Sequence, residues 1–185
     1  MMNPNDYETL FNSSSLNNVY DSQIVNAVGS ILFSQPRYEE VQKLSGIPWI
    51  VIALIHYRES GLKFNCHLHN GDPLTARTVH VPINRPLGIP PFTWAESAVD
   101  ALSQVWRPQS WSLGAALEFL ERYNGLGYQN HVIYSPYVWA ATTAYRKGLF
   151  VADGTFDPEK ISKQIGCAAL MKWIIQIGHK LDFTV

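Results

Sequence analysis

The sequence predicts a mainly α domain, helical around one central buried helix, with a small lobe of loops or a short β-hairpin. Three observations carry this. Residues 49–56 are apolar on nearly every face, the signature of a helix enclosed by others. Apolar residues recur at three and four residue steps in several other stretches. Residues 62–91 break that rhythm with Gly, Pro and Asn.

At 185 residues the chain has the size of one domain, and we read residues 1–185 as a single core. Apolar residues make up 46% and charged residues 16%, so the fold rests on burial and not on surface ion networks. A net charge of −1 with no lysine or arginine cluster excludes nucleic acid as an expected partner. Nine Tyr, eight Phe and six Trp are many, and such rings wall sugar clefts as readily as they fill cores. No stretch reaches the ~20 apolar residues of a membrane span. The polar start, residues 1–18, lacks the basic and apolar segments of a secretory signal and reads as an arm, ordered or loose. Cys66 and Cys167 read as two thiols, the second within an apolar helical pattern.

Asp21 can cap a helix through Ile24, Val28, Ile31 and Leu32, which Gln35-Pro36 ends. A short helix over residues 38–44 stops at Gly46, and Pro48 suits the start of the next. That next helix delivers Tyr57, Arg58, Glu59 and Ser60 to its C-terminal end before Gly61. Within 62–91, the run 78–81 is β-like and suggests a short hairpin. Thr93 caps a helix with Glu96 as its capping-box partner, and Ser110 caps another through Leu113, Leu117, Leu120 and Tyr123. Residues 136–145 read as helical, and Asp157-Pro158 opens a final amphipathic helix through Ile161, Ile165, Leu170 and Trp173.

Glu59 continues the stripe Ile52, Ile55 at helical spacing. A carboxyl there is pushed toward its protonated form by burial and by the negative end of the helix dipole. A glycosidase needs that state in the group that protonates the leaving oxygen. A helix-end ion pair to Arg58 or Arg77 explains the same position. Asp72, thirteen residues on in a polar Asn-Gly-Asp-Pro turn, is the candidate second carboxylate. An inverting enzyme needs the pair ~6.5–9.5 Å apart and a retaining one nearer ~5 Å. The turn itself accounts equally well for Asp72. Glu96 and Asp100 read as a cap and a solvated helix face.

Glu59-Ser60-Gly61-Leu62 at the end of a buried helix resembles the Glu-Ser signature of goose-type lysozymes and lytic transglycosylases, and Tyr123-Asn124 before Gly125 resembles that superfamily's Tyr-Asn pair. The likeness spans about residues 45–175. It implies an α+β lysozyme-like fold that cleaves peptidoglycan glycan strands, with Glu59 as acid and no cofactor. It also implies that Ser60, His69, Asn70, Tyr123 and Asn124 contact substrate. Tyr128, Tyr134, Tyr137 and Trp139 cluster after the Tyr-Asn pair and are the ring candidates for the groove, with core packing as the other reading for half of them. The family's Gly-Leu-Met-Gln element is absent, and His67-Leu68-His69-Asn70 stands in that region. Two further readings remain: a non-catalytic glycan-binding module of the same fold, and a zinc hydrolase using His56, Cys66, His67, His69 and Asp72. No metal is assigned in the leading reading. A monomer is expected, acting at the cell wall either as a phage endolysin held in the host cytoplasm or as a protein exported by another route.

Overall fold

The structure, a computed structural model, describes residues 2–185. The described residues form eight α-helices and one two-stranded antiparallel sheet. In chain order these are α1 (Pro4–Ser13), α2 (Asp21–Phe33), α3 (Gln35–Ser45), α4 (Trp49–Ser60), α5 (Trp94–Leu102), α6 (Leu113–Asn124), α7 (Pro136–Trp139), β1 (Leu149–Ala152), β2 (Thr155–Asp157) and α8 (Cys167–Gln176). The chain is mainly helical, as its periodicity predicts. By packing it divides into two compact units: the chain through Val28 with Arg107–Phe183, and Gly29–Trp106 with Thr184–Val185. No described helix is long and apolar enough to cross a membrane.

In the first unit, the segment read as an arm contains a helix. Asn3 accepts hydrogen bonds from the backbone N–H groups of Asn5 and Asp6, and Asp6 closes the capping box on the Asn3 N–H. Tyr7 and Phe11, one helical turn apart, are buried. Gly114 explains how closely α1 lies on α6: a Cβ there would fall 1.9 Å from the Pro4 carbonyl oxygen. Ser112, not Ser110, caps α6 through the Ala115 N–H.

The helix expected over residues 136–145 is a single turn. Ala140 turns extended and Ala141 has φ 62°, a left-handed conformation that ends helical hydrogen bonding. The final helix begins at Cys167 and not at Asp157: Asp157 pairs with Leu149 in the sheet, and the Lys160 carbonyl and the Gly166 N–H bond outward to Gly148 and Ala140. The chain's hairpin is therefore β1–β2 near the C-terminus. In 62–91, where sequence suggested one, there is an irregular loop carrying only the isolated bridge Cys66↔Pro73.

In the second unit, α4 is the centre. Ile50, Val51, Ile52, Ala53, Leu54 and Ile55 are all fully buried. Each large aliphatic residue in that run contributes roughly 1.5–3 kcal/mol by leaving water, which makes α4 the main anchor of this unit. Gln42 of α3 accepts from the Trp49 N–H at 2.6 Å and so caps the start of α4, where Pro48 offers no side-chain cap. Thr93 and Glu96 form the capping box on α5 that their spacing predicts.

Candidate functional site

α4 ends in a tight C-terminal cap. Gly61 and Leu62 both adopt left-handed conformations, and their N–H groups return to the Tyr57 and His56 carbonyls. Glu59 sits half-buried in that last turn. Ser60 is buried, and its hydroxyl donates to the His56 carbonyl at 3.2 Å, so it serves the helix end. Arg77 cannot be assigned to Glu59, because its guanidinium donates to the Leu87 and Gly88 carbonyls.

Against this helix end folds the turn Asn70-Gly71-Asp72. Gly71 has φ 82°, and a Cβ on it would come within 3.2 Å of the Glu59 carbonyl oxygen. The Asp72 N–H donates to Asn70 Oδ1 at 3.0 Å, and the Gly71 N–H to the His67 carbonyl at 2.9 Å. The two site candidates Glu59 and Asp72 thus lie on segments in backbone contact.

Asp72 organises the loop beyond. Its Oδ2 accepts from the N–H groups of Val79 and His80 at 2.8 and 3.0 Å, and its Oδ1 meets His80 Nδ1 at 2.6 Å. Burial pushes its carboxyl upward, but the His80 and Val79 donors outweigh this and hold it at about 2. Asp72 is therefore ionised at neutral pH. Asn70 completes the clamp, donating to the His80 and Val81 carbonyls. His69 Nε2 meets Asp100 Oδ2 at 2.8 Å, and Asp100 also receives both Nε and Nη2 of Arg85. Asp100 is thus the hub of an ion pair and not a plain solvated face. Burial lowers the His69 imidazole's affinity for a proton, against the pull of Asp100.

His67 and His69 are neighbours, with ring centroids 5.7 Å apart and Ser97 Oγ near both, but their Nε2 atoms are engaged by separate partners. His67 bridges Ser97 Oγ and the Ala76 carbonyl, both at 2.8 Å. His56 lies in an aromatic cluster with Tyr38, Phe64 and Trp94, and its Nδ1 meets the Tyr38 hydroxyl at 3.0 Å. Burial holds its pKa down to about 4, against a smaller upward pull from the Lys63 backbone. Among the described residues, no group of three His, Cys, Asp or Glu side chains is arranged to hold a metal ion. Both cysteines are free thiols.

The Tyr-Asn pair belongs to the first unit. Tyr123 is half-buried, its ring 6.4 Å from Phe119, and Asn124 is exposed. Asn124 and Tyr128 share the lining of a pocket of about 340 Å³ with residues of the β1–β2 hairpin. Tyr137 is only 3% exposed and packs in the core instead.

Sequence reasoning passed over Glu121. It is 3% exposed on α6, accepts the Tyr7 hydroxyl at 2.7 Å, and faces Gln129 Nε2 at 3.5 Å. Burial raises its carboxyl above the ordinary range, although Tyr7, Gln129 and Arg122 favour the ionised form. Glu118, one turn earlier, is paired with Arg122. The signal was legible for Glu121, which stands four residues after Leu117 and so shares its face of α6.

No protein-family model, curated protein or solved structure matches this chain.

Proposed function

We propose that the chain is a glycosidase that cleaves peptidoglycan glycan strands, with Glu59 as general acid. The observation that carries the reading is the fold of the Asn70-Gly71-Asp72 turn onto the last turn of α4, which brings a carboxylate-bearing loop to the helix end that holds Glu59. Glu59 would protonate the glycosidic oxygen, and positive charge would build on the sugar ring as the bond breaks. Asp72, kept ionised by its three donors, is too weak a base to take a proton from water. Its contribution is to favour that positive charge through space. The substrate's own N-acetyl oxygen then closes on the anomeric carbon, and either the same sugar's 6-hydroxyl displaces it to give a 1,6-anhydro product or a water displaces it to give a reducing end, the nucleophile's proton passing in both cases to the Glu59 carboxylate. Ser60, Asn70 and His69 act by holding the helix end and the loop. Peptidoglycan strands are the partner, met at the cell wall by a protein that works as a monomer without a cofactor.

A second reading, a glycan-binding module without catalysis, is favoured by one observation: both oxygens of Asp72 are already engaged within the loop.

The test is mass spectrometry of soluble products from purified sacculi treated with wild type and with Glu59→Gln. Reducing or anhydro muropeptides from wild type alone support the glycosidase and separate its two forms. Equal release by the variant ends the assignment of Glu59. Binding to sacculi without release supports the module.

A further inference from the structure

The β1–β2 hairpin builds a second polar and aromatic surface in the first unit. Phe150 of β1 is held edge-on to Tyr128 at 5.0 Å and to Phe156 of β2 at 5.3 Å. Tyr128 is buried, and its hydroxyl accepts from the Phe150 N–H at 3.3 Å, which ties the strand to the turn after α6. His131 stacks on Phe156 with ring centroids 3.7 Å apart, bracing the far side of the cluster. The Phe150 ring is thereby fixed in place while remaining half-exposed.

The pocket beside it, about 340 Å³, joins Phe150 and Tyr128 to Asn124 at the end of α6 and to Asp153 at the hairpin turn. Both polar side chains are exposed, and the remaining lining is Ala152 and glycines, so backbone groups are open to a ligand. None of the lining residues is cationic, which disfavours phosphates and other anions. A pocket of this size is at the lower end for small ligands and takes one ring better than a chain. A half-exposed aromatic ring that shares a pocket with an amide and a carboxylate is complementary to a neutral pyranose, whose C–H face is apolar and whose hydroxyls are donors and acceptors.

We infer that the pocket formed by Asn124, Tyr128, Phe150 and Asp153 is a subsite for one N-acetylhexosamine ring. The inference rests on the glycan-cleaving reading for the identity of the sugar. Asp153 accepts from ring hydroxyls, the Asn124 amide serves the N-acetyl group, and Phe150 with Ala152 carries the apolar face and the acetyl methyl. The subsite adds affinity for the glycan.

The experiment follows the backbone amide resonances of Gly125, Gly127 and Gly154 in the full chain during titration with tri-N-acetylchitotriose, with maltotriose as the control. Saturable shifts with chitotriose alone are expected, with affinity weakened about tenfold in Asp153→Ala, where an exposed turn residue is lost without harm to packing. Phe150→Leu, which keeps an apolar side chain and removes the aromatic face, should weaken it similarly with an unchanged circular dichroism spectrum. No shift with either sugar, or equal shifts with both, overturns the subsite. Sacculus cleavage in the same preparations separates the two ideas. Cleavage without shifts removes the subsite alone, and shifts without cleavage remove the role of Glu59 while the subsite stands.

Discussion

Tyr7 donates its hydroxyl to Glu121 Oε2 at 2.7 Å, and neither residue is more than 3% exposed. The bond joins the N-terminal helix α1 to α6 through a carboxyl that burial keeps above the ordinary range. The folded state therefore binds a proton at Glu121 more readily than the unfolded chain does. The stabilisation is complete below the unfolded carboxyl value of ~4.3 and is lost as pH rises through the raised folded value. Urea denaturation across the mildly acid to neutral range should show this decline in wild type and a flatter profile in Glu121→Gln. Parallel profiles would show that Glu121 is not the group responsible. Tyr7→Phe, which withdraws the donor, should cost ~1–3 kcal/mol.

Asp72 titrates in the opposite sense. Held at about 2, it is ionised in the folded state well below the unfolded value. The stability it lends is present above ~3.9 and disappears as pH falls through the folded value. Asp72→Ala should leave the Val79 and His80 N–H groups without their acceptor and destabilise the 72–80 loop by ~1–3 kcal/mol. Hydrogen exchange at those two amides reports it directly, and unchanged protection would mean that the clamp is dispensable.

Gly71 carries the contact between the loop and the end of α4. Gly71→Ala would force an L side chain into a left-handed conformation and against the Glu59 carbonyl. A loss of ~1–3 kcal/mol is expected, with the amide resonances of Gly61 and Leu62 displaced. If stability and those resonances are preserved, the turn does not depend on a residue without a side chain.

His56 gives the unit of α4 a sensitivity to acid. Its imidazole is neutral in the folded state down to about 4 and titrates near ~6.5 when unfolded. Stability is full above the unfolded value and falls as pH drops from there toward the folded one. His56→Leu should lose stability at neutral pH, because the Tyr38 hydroxyl loses its partner, and should show a shallower decline on acidification. A decline as steep as that of wild type would point to another group.

The sequence by itself determined the helices whose signals are local. The unbroken apolar run of α4, the Thr93–Glu96 box and the Gly46 stop are choices that neighbouring residues make among themselves. It also brought Glu59 to a helix end, because a three and four residue rhythm fixes which face a side chain occupies. Tertiary structure decided the rest. The N-terminal helix is marked locally by Asn3 and Asp6, but its polar composition gives it reason to exist only once Tyr7 and Phe11 have α6 to pack on. Residues 157–166 carry helix-like spacing, yet Asp157 pairs with Leu149, and the stretch after it runs as irregular backbone whose Lys160 carbonyl takes the Gly148 N–H and whose Gly166 N–H goes to the Ala140 carbonyl. The partners of Asp72, His67, His69 and Arg85 depend on where a loop of irregular backbone comes to rest. No periodicity encodes such a path, because each polar group takes whichever donor or acceptor the packed neighbours leave within reach.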